Sequence, residues 1–84
     1  MASDELQNRL PELRARYRLT QQDMAQRAGV TRRTIIAIEK GQYNPSTTLA
    51  LKLARVLQVP LKQIFWLGPE PTLVRVTELL VQPD

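Results

Sequence analysis

The stretch LTQQDMAQRAGVTRRTIIAIEKG, residues 19–41, contains the start and stop signals of two short helices in direct succession. Thr20, followed three residues later by an aspartate, resembles a capping box and predicts a helix start. Gly29 ends this helix, because glycine readily adopts the left-handed conformation found after helix C-termini. Thr31 is a natural N-cap for the next helix, and the glycine at the end of the stretch terminates it. Two short helices joined by so tight a turn predict a helix-turn-helix.

Upstream of this stretch, large apolar side chains recur at spacings of four, three and four residues, at Leu6, Leu10, Leu13 and Tyr17. This spacing predicts one face of a first helix. Proline is tolerated only in the first turn of a helix, and with Asn8 as N-cap Pro11 falls within that turn. We therefore place the start of the helix near Arg9. A longer, kinked helix from Ser3 is the alternative.

Downstream, the sequence predicts two more helices. Ser46 caps a fourth helix that runs to about Leu57 and turns its apolar side chains inward. Pro60 suits the first turn of a short fifth helix. Strand patterning is absent through residue 66. The predicted fold class is therefore all-α, with a compact five-helix domain, similar to that of repressors, over residues 1–66.

A short C-terminal extension, residues 67–84, follows and begins with LGPEP, a segment whose glycine and prolines interrupt regular secondary structure. Its β-branched valines alternate with other residues, which favours a β-strand. Leu73, Val76 and Leu80 would equally form one stripe of a helix. We favour the strand slightly. The apolar content of the extension is too high for a free linker, so it is a candidate dimerisation arm.

Trp66, just before this extension, has two readings. It either caps the core or lies in a dimer interface, where tryptophan is favoured. We prefer the interface. The alternative for the extension is that it folds back onto its own chain. The interface candidates are Trp66, Leu73, Val74, Val76 and Leu79.

Composition excludes several classes of function. The chain has no cysteine and no histidine, which removes the commonest metal ligands and acid–base catalysts, so we expect no metal site, no cofactor and no enzyme activity. No apolar stretch approaches the ~18 residues of a membrane span, and the acidic N-terminus lacks a signal-peptide core, so we expect a cytoplasmic protein. Residues 9–62 carry eleven Lys or Arg and three acids, between acidic ends. This basic middle indicates either a polyanion partner or a solvated basic surface.

The longer stretch LTQQDMAQRAGVTRRTIIAIEKGQYNPSTTLALKLARVLQVPLKQIF resembles the helix-turn-helix domain of the Xre/Cro/phage-repressor (Cro/C1-type) family. Four elements agree in order: Thr-Gln at the second helix start, Ala-x-x-Ala-Gly before the turn, Ile-Glu-x-Gly at the third helix end, and Asn-Pro-Ser before the fourth helix. The resemblance extends from about Asn8 to Trp66. It implies that the third helix enters the major groove of double-stranded DNA and that the protein works as a homodimer on a two-fold operator.

The resemblance places Arg32, Arg33 and Ala37 of the third helix opposite base edges. Helix-turn-helix proteins read bases with the N-terminal end of this helix, and arginine recognises guanine through two parallel hydrogen bonds. The alternative for both arginines is a phosphate contact or a solvated charge. Tyr43 could instead pack its ring on the fourth helix. The candidates for phosphate or groove contact are Gln21, Thr31, Thr34, Lys40, Tyr43 and Asn44.

Glu39 is an acid at the C-terminal end of a helix, where the helix dipole disfavours it. The resemblance suggests that it forms a partly buried ion pair with Arg14 of the first helix. The alternative is an exposed Glu39 without a partner.

The leading interpretation is a sequence-specific DNA-binding transcriptional regulator, with repression as the commoner role in this family. A second interpretation is an antitoxin-like regulator whose C-terminal extension binds a partner protein. A third is a domain that has kept the fold, lost DNA binding and serves as a protein adaptor.

Overall fold

The computed structural model describes residues 5–68. Its elements in chain order are β1 (Leu6–Asn8), α1 (Leu10–Arg16), α2 (Gln21–Ala28), α3 (Arg32–Glu39), α4 (Thr47–Leu57), α5 (Leu61–Ile64) and β2 (Phe65–Leu67). The prediction of a mostly helical fold with five helices is confirmed. The predicted strand of the C-terminal extension, with the interface candidates Leu73, Val74, Val76 and Leu79, lies outside the described residues.

A single hydrophobic core joins all five helices and the second strand. Each helix contributes the apolar residues of one face, as the helical spacing predicts. Fully burying a Leu, Ile, Met or Phe side chain stabilises the fold by about 1.5–3 kcal/mol. The buried apolar residues are Leu10, Leu13, Met24, Ala25, Ala28, Ile35, Ile38, Leu49, Ala50, Leu53, Leu57, Ile64 and Phe65.

Hydroxyl side chains cap three of the helices at the predicted positions. The Thr20 hydroxyl accepts a hydrogen bond from the Asp23 N–H, and the Asp23 carboxylate accepts one from the Thr20 N–H, each at 2.9 Å. Thr31 caps α3 and Ser46 caps α4 in the same manner, by accepting from the N–H three residues on. These contacts satisfy backbone donors that the first turn of a helix leaves without partners. The predicted starts of α2, α3 and α4 are confirmed.

Left-handed residues follow four helices and redirect the chain after each. Gly29 follows α2 and Gly41 follows the last turn of α3, both with φ of 74°. Arg18 after α1 and Gln58 after α4 adopt the same conformation with φ of 57° and 56°. Glycine enters this region without strain, whereas a side chain disfavours it. The two glycine terminators were predicted, and the two residues with side chains were not.

The expectation that no strand precedes residue 67 was wrong. β1 and β2 pair as an antiparallel ribbon, in which Leu6 lies opposite Leu67 and Asn8 opposite Phe65. Pro11 explains why β1 is not helical. Its ring in the first turn of α1 prevents the helix from extending upstream, which also excludes the longer helix from Ser3 over the described residues. The freed residues stay extended and pair with the chain that leaves α5.

The first helix differs from its prediction in two details. Arg9 occupies the N-cap position, one residue later than predicted, although the Asn8 side chain still accepts a hydrogen bond from the Leu10 N–H at 3.0 Å. The apolar face is also shorter than its spacing suggested. Leu6 lies in β1, and Tyr17 follows the helix with 48% of its surface exposed.

Candidate nucleic-acid interface

The N-terminal end of α3 projects from the domain with two arginines at its tip. Arg32 and Arg33 are exposed, whereas Ile35 and Ile38 on the opposite side of the same helix are buried in the core. The Thr31 hydroxyl accepts from the Thr34 N–H at 3.2 Å and lies 3.1 Å from the Thr34 hydroxyl. The helix is therefore anchored along one side, and its cationic tip faces solvent.

The arginine tip continues along α3 as one face. Ile36 lies four residues after Arg32, and Ala37 lies four residues after Arg33, so each shares a face with its arginine. Both are half-buried. Lys40, which follows the helix, is exposed. A small side chain and a cation thus follow the arginines along the surface predicted to read bases.

A shallow, open groove lies between the starts of α2 and α3. It is lined by Arg14, Thr20, Gln21, Gln22 and Arg32. Arg32 is exposed and supplies a positive charge to the groove, whereas the guanidinium of Arg14 is paired with Glu39. The groove also includes the N-terminus of α2, whose first backbone N–H groups attract anions. The groove suits a polyanion such as a nucleic-acid backbone.

Arg14 and Glu39 form the ion pair that the resemblance implies. Arg14 Nε donates to Glu39 Oε2 at 2.8 Å, and Nη2 donates to Oε1 at 3.4 Å. A further nitrogen, Nη1, donates to the Leu19 carbonyl at 2.9 Å. The exposed fraction of the side chain is 19% for Arg14 and 7% for Glu39. This pair ties the last turn of α3 to α1.

Gln21 contacts this ion pair, and its predicted phosphate contact stays a prediction. Its Nε2 donates to Glu39 Oε1 at 3.0 Å. A carboxylate only accepts hydrogen bonds, so the amide must present its nitrogen to Glu39 and leave its carbonyl oxygen as the other end. The amide nitrogen carries a second N–H, which can still donate to a phosphate oxygen. The backbone N–H at the start of α2 stays available for that role.

The remaining phosphate candidates lie on the surface after α3. Tyr43 is 46% exposed, and Asn44 is exposed in the turn before α4. Together with Lys40, they extend the polar surface beyond the C-terminal end of α3. Their predicted phosphate contacts stay predictions.

Trp66 lies in the terminal ribbon. It is half-buried in β2 opposite Gln7 of β1, and the Arg9 guanidinium carbon is 4.7 Å from the centre of its ring. A cation at this distance from the face of an indole is attracted by the ring. Its indole N–H is buried. The structure thus gives Trp66 a contact within its own chain, and its place in a dimer interface stays a prediction.

Two long-range hydrogen bonds at the end of α3 were not indicated by any pattern in the sequence. Asn8 Nδ2 donates to the Ile38 carbonyl at 3.1 Å, which joins β1 to α3 across a separation of 30 residues. Gln21 and Glu39 are likewise 18 residues apart. Neither separation produces a periodic or capping pattern, so single-sequence reasoning could not find these contacts.

Comparison with known proteins identifies the fold. A family model described as helix-turn-helix matches residues 12–64. The chain belongs to the Xre/Cro-type helix-turn-helix family. The matched residues include all of α2, α3 and α4, and they include every residue of the groove and of the arginine tip.

Several relatives in this family are described as uncharacterized HTH-type transcriptional regulators. One from Archaeoglobus fulgidus is 47% identical over 60 residues, which are 71% of this chain and 84% of the relative. One from Methanocaldococcus jannaschii is 50% identical over 60 residues, 71% of this chain and 91% of the relative. The Bacillus subtilis protein YgzD is 43% identical over 65 residues, 77% of this chain and 98% of the relative.

A solved structure shows the same family fold. The restriction-modification controller protein C.AhdI from Aeromonas hydrophila superposes with a TM-score of 0.63 at 36% identity. The superposition covers 66% of this chain and 83% of C.AhdI. Within residues 5–68, none of the helices has the length and apolar character needed to cross a membrane.

Proposed function

We propose that this protein is a sequence-specific DNA-binding transcriptional regulator that inserts α3 into the major groove. The observation that carries the proposal is the asymmetry of α3. Ile35 and Ile38 fix one side of the helix in the core, while Arg32 and Arg33 extend into solvent from its N-terminal end. A B-DNA major groove admits an α-helix, and the N-terminal residues of the helix contact the base edges.

In this function, Arg32 and Arg33 read guanine through paired hydrogen bonds to O6 and N7. Ala37 on the same face permits close approach, and its methyl group can contact a thymine methyl group. Backbone contacts then fix the register of the helix in the groove. The residues assigned to them are Thr31, Thr34, Lys40, Tyr43, Asn44 and the main-chain N–H of Gln21.

We further propose that the protein acts as a homodimer on a two-fold operator and represses transcription by occupying it. Trp66 and the C-terminal extension form the dimer contact. Such a dimer places its two α3 helices roughly 34 Å apart, one turn of DNA. Removal of residues 69–84 then yields a monomer with weakened operator binding. A truncated protein that stays dimeric with unchanged affinity refutes this arrangement.

Selection from a random-DNA library at two salt concentrations tests the function. Enrichment of a palindromic site, with affinity that falls steeply as salt rises, is the expected result. Salt-sensitive binding without enrichment would mean that Arg32 and Arg33 contact phosphates and do not read bases. Failure to bind at either salt concentration would refute DNA binding.

Alanine variants at the arginine tip test the assignment of the readers. Arg33→Ala or Arg32→Ala should weaken binding to the selected site by about 5- to 150-fold, the factor for loss of one bidentate base contact. Lys62→Ala on α5 is the matched control, because it removes the same charge from an exposed position on another helix. Its effect should be small and equal for all DNA sequences. Equal losses for all three variants would refute base reading by the arginines.

A further inference from the structure

We propose that Asn8 is a positioning residue for DNA reading, which sets the orientation of α3 relative to the terminal ribbon. The ribbon is the antiparallel pair β1–β2. This inference rests on the proposed function, because it takes α3 as the helix that enters the groove. It assigns a role in recognition to a side chain that lies outside the interface itself.

The Asn8 amide makes two hydrogen bonds with opposite polarity. Its Nδ2 donates to the Ile38 carbonyl at 3.1 Å, and its Oδ1 accepts from the Leu10 N–H at 3.0 Å. A carbonyl only accepts and a backbone N–H only donates, so these partners fix which way the amide points. The side chain is partly buried. One amide therefore connects β1, the start of α1 and the end of α3.

The Ile38 carbonyl belongs to the last turn of α3, where carbonyls have no partner within the regular helix. It accepts from the Gly41 N–H at 3.0 Å and from Asn8, which together use both lone pairs of the oxygen. Gly41 belongs to the turn that directly follows α3. Asn8 is thus the partner that connects this carbonyl to a distant element.

The contact gives α3 a second tie beside the ion pair. Arg14 holds the carboxylate of Glu39 from α1, and Asn8 holds the adjacent Ile38 carbonyl from β1. The burial of Ile35 and Ile38 and the hydrogen bond from Gln21 of α2 also hold this helix. Asn8 adds a hydrogen bond from β1, which restricts movement of the last turn of α3 relative to the ribbon. The tilt of α3, and hence the direction in which Arg32 and Arg33 point, therefore depends in part on Asn8.

The β1–β2 ribbon connects the Asn8–Ile38 hydrogen bond to the chain that leaves α5. Asn8 lies opposite Phe65, and the neighbouring Arg9 N–H donates to the Ile64 carbonyl at 3.0 Å. In the proposed homodimer, the contact surface includes Trp66 of the same ribbon. Asn8 therefore connects the ribbon that carries this proposed contact to the end of the reading helix by a hydrogen bond. It should control the separation and angle between the two reading helices of a dimer.

Two substitutions remove the hydrogen bond from Asn8 to Ile38 and keep an acceptor for the Leu10 N–H at the start of α1. Asn8→Asp keeps an oxygen for the Leu10 N–H and removes the donor to Ile38. Asn8→Ser also keeps an acceptor near the helix start but is too short to reach Ile38, and it leaves the net charge unchanged. Gln26→Glu is the matched control, because it makes the same amide-to-acid change at an exposed position of α2, outside the ribbon and outside the proposed DNA contacts.

The experiment measures the dissociation constant of the full-length protein for its selected palindrome and for an unrelated duplex of equal length at one salt concentration. A second series varies the spacing between half-sites. Asn8→Asp and Asn8→Ser should lower the specificity ratio by about 2- to 10-fold, the factor for one hydrogen bond, and should broaden the preferred spacing. Gln26→Glu should weaken binding to both duplexes alike and leave the specificity ratio and the preferred spacing unchanged.

The outcomes distinguish this inference from the proposed function. If wild type selects a site and Arg33→Ala loses it, while both Asn8 variants keep the wild-type ratio and spacing, the positioning role is refuted even if their melting temperatures fall. If wild type shows no preference between duplexes, the proposed function fails and the inference fails with it. A fall in melting temperature alone would identify Asn8 as a purely structural residue.

Discussion

Replacing Glu39 by alanine should be among the most damaging single changes to this fold that leaves the hydrophobic core intact. The carboxylate accepts from Arg14 twice and from Gln21 once, at 2.8, 3.4 and 3.0 Å. Its removal leaves a guanidinium and an amide without their partner. Because these groups join α1, α2 and α3, the change loosens the whole helix-turn-helix.

The expected magnitude follows from burial. Removing one partner of a buried ion pair destabilises by about 3–5 kcal/mol, because the remaining charge is uncompensated. For Glu39→Ala the remaining charge is Arg14, which is 19% exposed and keeps the Leu19 carbonyl as a partner. We therefore expect the lower end, about 3 kcal/mol. At about 4–8 °C per kcal/mol for a domain of this size, the melting temperature should fall by about 12–24 °C.

Arg14→Ala should be the worse of the two single changes. It leaves the Glu39 carboxylate, whose side chain is 7% exposed, with Gln21 as its hydrogen-bond partner. We expect a loss nearer about 5 kcal/mol. The double variant should lose less than the sum of the single losses, because neither charge is then left behind. Denaturant and thermal melts of the four proteins form a double-mutant cycle that isolates the coupling energy.

Two results would refute this reasoning. One is a Glu39→Ala protein that melts at the wild-type temperature. The other is additivity, in which the double variant loses the full sum and the coupling energy is zero. Lys40→Ala is the control, because it changes the neighbouring charged residue at an exposed position. It should shift stability by no more than about 0.5 kcal/mol.

Three further predictions concern helix ends. Gln58→Gly should raise the melting temperature, because glycine relieves about 1 kcal/mol of strain in the left-handed conformation. Gly41→Ala should lower the melting temperature by a similar amount, because alanine is strained at this φ even though its Cβ would meet no atom within 4 Å. Equal melting temperatures for wild type and both variants would refute this reasoning. Hydrogen bonds from the Thr20 backbone N–H and hydroxyl lower the pKa of Asp23 from 3.8. The stability advantage of wild type over Asp23→Asn should thus be present above pH 3.8 and disappear as pH falls through the lowered pKa, in thermal melts over a pH series. An advantage that persists at all pH values would contradict the role of the carboxylate.

The features that could be predicted from the sequence are those whose partners are close in the chain. A capping hydroxyl contacts the N–H three residues on, so Thr20, Thr31 and Ser46 could be identified by position alone. Helix faces repeat every three or four residues, and the buried residues of α2, α3 and α4 followed this spacing. The glycine after α2 was predictable because few other residues adopt the left-handed conformation that follows a helix C-terminus.

The features that could not be predicted depend on distant partners. β1 and β2 have three residues each, which is too short for an alternating pattern, and they pair the two ends of the described chain. The bonds from Asn8 to Ile38 and from Gln21 to Glu39 join positions 30 and 18 residues apart. The Arg14–Glu39 pair is equally distant, at 25 residues, and it was predicted because a family resemblance supplied the partner.

The two ends of α3 differ in the same way, because long-range contacts hold its C-terminal end and leave its N-terminal end exposed. Its N-terminal residues, Arg32 and Arg33, are exposed, so substitutions there change the surface offered to DNA with little effect on packing. Its C-terminal residues are held by Asn8 and by the Arg14–Glu39 pair, so substitutions there change the position of the whole helix. The end of α3 proposed to read bases is therefore free to vary in sequence, because the long-range contacts that fix the helix lie at its other end. If the proposed function holds, a change of operator preference through the arginine tip requires no compensating change in the core, whereas a change at Glu39 does.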